Sequence, residues 1–508
     1  MRFNSYEFIF VFLPLAWLGW RAVLRWAGLR AGVGWMALAS LVFYARWDWR
    51  FAPLLVLSLM VNYGLGRLIT MTRGRRRTWY LVAGLIWNLG LLGYFKYWDF
   101  LLGTINALTG TGLHLEKIIL PLGISFFTFQ KIAFLVDAWR GRVKEVRFMD
   151  FALFVMFFPQ LIAGPIVHHS DFIPQIREEE LLRFNGRRFC LGLLAFSAGL
   201  FQKCIVADLL SPLADSAFGL TAQGTHLRLL EGWTGVLAYT FQLFYDFAGY
   251  SHMAIGLALM FGFRLPINFL APYTSRSLVE FWHRWHITLS NFLRDYLYIP
   301  LGGNRTGHLR NLFITLVLAG LWHGAGWTFV LWGAWHGVAL IVNHVWRKRR
   351  KAGPNPDRRS GAWAPVLTLA VVVFGWVLFR AHDLPTAWLY IQSMLGWHGI
   401  TVPVSWQDWV APLAPVIRAR GLYPNLSPTP TALILLVISG YLALRGPKLL
   451  AWLGLSAEDV TPPTSWQAAE LAPKGTPLRV SRALIGGLML VVAIAALARS
   501  APFLYFQF

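Results

Sequence analysis

The sequence predicts an all-α polytopic membrane protein, and three observations carry the prediction. Of its 508 residues 56% are hydrophobic and only 14% charged, whereas a soluble domain carries about 25% charged residues to cover its surface in water. Apolar stretches of membrane-spanning length recur along the chain, and mean hydropathy is +0.52. The excess of Lys and Arg behind the net charge of +23 collects in short segments: Arg21, Arg25 and Arg30, then TRGRRR at 72–77 and WRKRRK at 346–351. That pattern reports cytoplasmic loops and lipid headgroups rather than nucleic acid. Soluble, disordered and fibrous classes are excluded.

At ~20 residues per span the chain accommodates on the order of a dozen crossings. The first stretch, MRFNSYEFIFVFLPLAWLGW, resembles a signal peptide. However, most of its positive charges follow the apolar run and no small-residue cleavage site succeeds it, so a retained helix is expected. Further spans are expected at about 31–46, 52–70, 79–95, 117–138, 148–167, 188–206, 229–262, 311–345, 364–379, 431–445 and 483–498. The stretches 229–262 and 311–345 are long enough to be hairpins or broken helices. Segments 98–110, 157–176 and 276–300 are too polar for lipid and too apolar for water. Such backbone survives at membrane depth only inside protein or beside a wet cavity, so re-entrant or interfacial pieces around a central site are expected. Loops are expected at 349–362, 399–429 and 446–481, rich in Pro, Gly and polar residues. Trp47 and Trp49 mark a span end. Cys190 and Cys204 lie 14 residues apart in one helical stretch, ~21 Å at 1.5 Å per residue, too far for a disulfide.

The densest polar segment, 275–305, holds Arg276, Glu280, His283, Arg284, His286, Arg294, Asp295 and Arg305. On one continuous helix Glu280, His283 and His286 would share a face; the segment reads either as an interfacial anchor or as part of a functional site. A second cluster, GLWHGAGWTFVLWGAWHG at 320–337, places His323 within an apolar span and His336 thirteen residues later, nearer the basic end. A neutral imidazole can take a proton from a hydroxyl and return it, which acyl transfer to an alcohol requires. Gly324 and Gly326 would allow close approach of a helix or ligand. Asp137, Asp246 and His252 sit in apolar runs; the carboxylates either orient a histidine or pair with Lys131 or Arg264. In FFPQLIAGPIVHHSDFIPQI at 157–176, Pro159, Gly164 and Pro165 break the helix. Glu280 and His283 form one E-x-x-H, but neither H-x-x-H-H nor a second E-x-x-H occurs, so no metal centre is expected. No G-x-S-x-G elbow supports a serine hydrolase.

Collinear motifs make the chain resemble the membrane-bound O-acyltransferase (MBOAT) family, in the branch of the bacterial alginate O-acetyltransferase membrane subunit. They are FNSYEFIFVFLPL at 3–15, GYFKYWDF at 93–100, LPLGISFFTFQ at 120–130, FPQLIAGPI at 158–166, YDFAGYSHMAIGLALMFGFRLPINF at 245–269, EFWHRWHITLSNFLRDYLYIPLGGNR at 280–305, LWHGAGWTFVLWGAWHG at 321–337 and FLYFQF at 503–508. The resemblance implies one membrane domain over 1–508, with core motifs in 120–345 and further spans in 364–508, folded as a helical bundle with re-entrant or interfacial helices around a central funnel. It implies an essential histidine at His323 and a second polar position at His286, with Arg284, Arg294, Asp295, Trp322 and Asn304 as substrate-binding residues. It further implies no resident cofactor, acetyl-CoA as cytosolic acyl donor, an exopolysaccharide acceptor, a periplasmic esterase-like partner protein, and a place in the bacterial inner membrane. Two departures from the family's pattern, His252 where an acid is expected and His283 where an arginine is expected, alter the charge near the site and bear on acceptor identity. Competing readings are D-alanyl transfer to teichoic acid and a transporter or flippase using intramembrane His and Asp as proton relays.

The basic loops predict orientation: the N-terminus and FLYFQF outside, and residues 21–30, 71–78 and 346–360 in the cytoplasm. With Cys190 and Cys204 replaced by serine, a single cysteine introduced by Arg75→Cys is therefore expected to resist membrane-impermeant maleimide in intact cells and to label after permeabilisation.

Overall fold

A computed structural model describes residues 1–113, 118–144, 146–349, 361, 363–402, 417–419, 430–445, 449–461 and 464–504. The fold is α-helical, as predicted. Seven stretches among the described residues are long and apolar enough to cross a membrane. Most of the expected loops at 349–362 and 399–429 and the last four residues of FLYFQF lie outside the described residues, whereas the expected loop at 446–481 is largely described and contains two short helices.

The described residues form two compact units. The first comprises Met1–Phe201, Tyr250–Asn268 and Leu450–Ser500; the second comprises Gln202–Gly249, Phe269–Leu449 and the C-terminal residues from Ala501.

In the first unit, α1 (Leu13–Ala45) turns back on itself at Gly28, whose φ of 77° suits glycine. Trp35 Nε1 donates to the Ala16 carbonyl at 3.0 Å and Arg46 pairs with Glu7 at 2.7 Å. The two expected N-terminal spans are therefore a hairpin with the basic turn at its tip. Beyond it run α2 (Ala52–Met71), α3 (Arg75–Leu92) and α4 (Trp98–Thr109). An amide pair, Asn88 Nδ2 to Asn62 Oδ1 at 2.6 Å, joins α2 to α3, the kind of polar contact that ties helices together in lipid.

The expected spans at 117–138 and 148–167 are instead short buried helices: α5 (Ile124–Trp139), α6 (Phe148–Met156) and α7 (Phe158–Leu161), followed by α8 (His169–Ile176). A 16-residue helix extends ~24 Å, short of the ~30 Å hydrocarbon core. Wrapped in protein, these pieces need no lipid-spanning length, and this accounts for fewer spans than composition alone suggests. Lys131 on α5 is fully buried and donates to Ser58 Oγ at 2.5 Å. Asp137 lies 3.5 Å from Arg142, 3.8 Å from Arg140 and 3.6 Å from His169. Arg264 pairs with Glu178. Among the described residues neither Lys131 nor Arg264 forms an ion pair with Asp137 or Asp246, and Asp137 meets a histidine, the other alternative. This unit also holds α9 (Gly186–Phe201).

The second unit opens with α10 (Asp208–Ala222). The stretch 229–262 is one unbroken helix, α11 (Leu229–Met260), whose last turns belong to the first unit. It is not a hairpin: it is buried along almost its whole length, and an all-round apolar pattern is what a protein-enclosed helix requires. Of the two forms its length allows, the 311–345 stretch takes the hairpin, as α14 (His308–His323) and α15 (Trp327–Arg349), preceded by α12 (Leu278–Arg284) and α13 (Ile287–Leu293). Then come α16 (Trp363–Arg380), α17 (Leu384–Met394), a short parallel pair of β1 (Ile400–Val402) with β2 (Ile417–Ala419), and α18 (Pro430–Arg445). The strand pair falls in a stretch that the sequence reads as plain loop. The first unit closes with α19 (Leu449–Leu453), α20 (Ser465–Ala469) and α21 (Val480–Ala496), which packs on α9.

Asp246 finds its cation in Lys203, whose Nζ lies 2.6 Å from Asp246 Oδ1 and 2.7 Å from Asp208 Oδ1. The same carboxylates accept the Leu504 and Ala501 backbone N–H groups at 3.0 and 3.2 Å. This buried ion cluster ties the chain's end into the second unit. Lys203→Met strips the cation from two buried carboxylates and is expected to destabilise the protein by ~3–5 kcal/mol; Asp246→Asn, which keeps an acceptor, should cost less, as read by thermal unfolding in detergent.

Candidate active site

Two interruptions in the helices of the second unit build the site. The first lies between α12 and α13. Ser277 caps α12 by accepting the Glu280 N–H, and Arg284 ends it. Trp285 is extended and His286 adopts the left-handed conformation, φ 44° and ψ 53°. Among the described residues only Ala271 and His286 have positive φ without being glycine. Such a backbone costs of order 1–3 kcal/mol and persists where its surroundings over-determine it. Here Arg284 supplies the brace: Nε donates to Glu280 Oε1 at 2.9 Å, Nη1 donates to the Leu270 carbonyl at 3.1 Å, and the Arg284 carbonyl accepts the Leu270 N–H. The His286 carbonyl then accepts the Ser290 N–H and starts α13. Because the helix stops before it, His286 shares no helix face with Glu280 and His283, contrary to the spacing argument.

The second interruption is the turn between α14 and α15. Gly324 adopts an extended conformation and makes His323 the last helical residue. The hairpin closes tightly because a Cβ on Gly320 would overlap the Phe329 carbonyl and one on Gly333 the Leu316 carbonyl. Close backbone approach is thus made by Gly320 and Gly333, whereas Gly324 makes room for the Phe329 ring and Gly326 has space around it.

These features bring His286 and His323 together. Their ring centroids are 6.4 Å apart, with the planes nearly perpendicular, and the side chains are buried at 1% and 7% exposure. Trp322 lies 4.9 Å from the His323 ring and 6.4 Å from that of His286. Phe247 lies 4.8 Å from His286 with the rings tilted, and Trp332 and Phe379 each lie 5.2 Å from His323. Two imidazoles in an aromatic enclosure can divide proton transfer and hydrogen bonding to an acyl carbonyl between them.

The other residues singled out from the sequence stand elsewhere. Arg284 is the brace just described. Arg294 pairs with its neighbour Asp295 at 2.7 Å, half-exposed, and Asn304 accepts from the Tyr298 hydroxyl at 2.6 Å at the surface. His252 is buried in α11. His336 is fully buried and, like His323, leans on Trp332, 5.0 Å away, with Trp282 at 5.2 Å. Sequence reasoning missed Trp332 and Phe379. Trp332 was within reach, since it stands four residues before His336 on one face of α15.

An α-helical membrane protein with paired histidines at two helix breaks is the class that fold and site define. The chain belongs to the MBOAT, membrane-bound O-acyltransferase family, which matches residues 125–380 and so includes every residue of the enclosure. It is an acyltransferase and a multi-pass membrane protein. It is 42% identical over 433 residues to a peptidoglycan O-acetyltransferase of Helicobacter pylori, covering 79% of this chain and 81% of that one. It is 37% identical over 538 residues to a probable alginate O-acetylase of Azotobacter vinelandii, covering 100% of both. It is also 32% identical over 265 residues to a teichoic acid D-alanyltransferase of Streptococcus thermophilus, covering 48% of this chain and 61% of that one.

The left-handed backbone at His286 separates imidazole chemistry from conformation. Asn tolerates φ > 0, so His286→Asn should fold nearly as well as the wild type, whereas His286→Val should lose ~1–3 kcal/mol. Thermal unfolding in detergent distinguishes the two.

Proposed function

We propose that this protein O-acetylates an extracytoplasmic polysaccharide, using acetyl-CoA from the cytosol and moving the acetyl group across the bacterial inner membrane. The observation that carries the reading is the meeting of His286 and His323 at two helix breaks in one buried enclosure. His323 acts as general base on an acceptor hydroxyl. The hydroxyl oxygen bonds to the thioester carbonyl carbon, the carbon–sulfur bond breaks, and the proton held by His323 passes to the departing thiolate. His286 orients the carbonyl and stabilises the negative charge that develops on its oxygen. Trp322 packs beside the two rings, closer to His323, and limits their motion. Arg284 contributes by holding the bend that presents His286.

The relatives support a glycan acceptor, since their names refer to peptidoglycan and alginate. Similarity to a D-alanyltransferase covers a smaller share of both chains and supports the shared acyl-transfer chemistry rather than that particular acyl group. Transfer to polymer is completed by a separate periplasmic protein that receives the acetyl group. A transporter reading predicts no cleavage of acetyl-CoA.

The test is reconstitution of the purified protein in liposomes with labelled acetyl-CoA and a hydroxyl acceptor. His323→Ala should lower thioester consumption by ~100-fold to 10,000-fold with normal insertion and abundance; a variant within about threefold of wild type, well short of that range, removes the base assignment. Efficient polymer acetylation by the protein alone would refute the partner step and leave the acyltransferase step intact.

A further inference from the structure

The first unit carries a small, partly open cavity of about 20 Å³ between the N-terminal hairpin, the 180–188 segment and the end of α11. Its floor is apolar, formed by the buried Trp20, Leu259 and Phe261, and its rim carries Arg21, Arg183 and Arg188 against one acid, Glu180. We propose that the arginine rim of this cavity binds the phosphate group of an anionic phospholipid lying against the protein surface.

The rim is preorganised. The Arg21 guanidinium donates to the Leu181 and Leu182 carbonyls at 3.1 Å each and lies 5.8 Å from the Phe184 ring centroid. Arg188 is held by Glu180 at 3.2 Å. The Arg183 guanidinium is exposed and forms no ion pair among the described residues, so it is available to a phosphate. The C-terminal carbonyls of α11 would repel an anion. They are instead turned to use: Met260 and Phe261 accept the indole N–H groups of Trp17 and Trp20 at 3.1 and 3.2 Å. What remains is a cationic rim over an apolar floor, the two halves of a lipid's own chemistry. On α1, Leu15 and Leu18 are exposed and offer a surface along which acyl chains can lie. The rim adjoins the basic turn that orients the hairpin, where the leaflet's negative surface concentrates cationic contacts.

The same cationic rim suits the phosphates of a soluble nucleotide-bearing acyl donor, and the experiment separates the two sources. Full-length protein in detergent is loaded with phosphatidylglycerol, cardiolipin or phosphatidylethanolamine, and retained lipid is read by native mass spectrometry. Anionic lipid should be retained several-fold over phosphatidylethanolamine, as expected for recognition of net charge, and coenzyme A should not displace it. Arg183→Glu should abolish the preference with unchanged thermal stability. Arg30→Glu, an equal charge change on the basic turn but outside the cavity lining, should leave the preference in place. Equal loss in both variants shows general attraction to a basic surface and overturns the site. Displacement by coenzyme A overturns the lipid assignment, and equal retention of all three lipids overturns recognition of an anionic headgroup.

Discussion

Every backbone N–H and C=O at membrane depth must find a partner inside the protein, because lipid supplies none. The architecture follows from that constraint. A continuous helix satisfies it unaided, so each interruption has to be enclosed and braced. His286 stands at an interruption whose neighbouring carbonyls and N–H groups are paired across to Leu270 and onward to Ser290. His323 stands at another, closed by glycines that let α14 and α15 touch backbone to backbone. Both imidazoles owe their positions to places where regular structure fails and the surrounding protein makes good the loss.

Charge is handled under the same constraint. Ionised groups away from water are costly unless paired, and the chain spends its few acids accordingly: Asp246 and Asp208 on Lys203 inside the protein, and Glu178 on Arg264 and Glu280 on Arg284 at partly exposed positions. The enclosure around His286 and His323 is built instead from aromatic rings, which pack tightly around the two imidazoles. One brace serves both purposes. Arg284 pairs with Glu280 and ties the bend to Leu270.

The amino-acid sequence by itself determined the membrane class, the helical fold and the family, and it singled out His286 and His323. These rest on composition, runs of apolar residues and short motifs, which are local properties of the chain. The α14–α15 hairpin was legible for the same reason, since glycines and a histidine interrupt an apolar run too long for one span.

Only the tertiary structure decided which neighbours the apolar runs have. A residue that is apolar on every side reads alike whether lipid or protein surrounds it. The sequence therefore could not distinguish the spanning helices from buried α5 and α6, nor tell that Leu229–Met260 is one helix and not a hairpin. The partner of Asp246 was equally hidden, because Lys203 stands 43 positions earlier in the sequence and nothing local marks the pairing. The contact between His286 and His323 depends on a left-handed residue at one end and an extended glycine at the other. Those backbone angles are selected by packing and hydrogen bonding across the fold, not by propensities read along the chain.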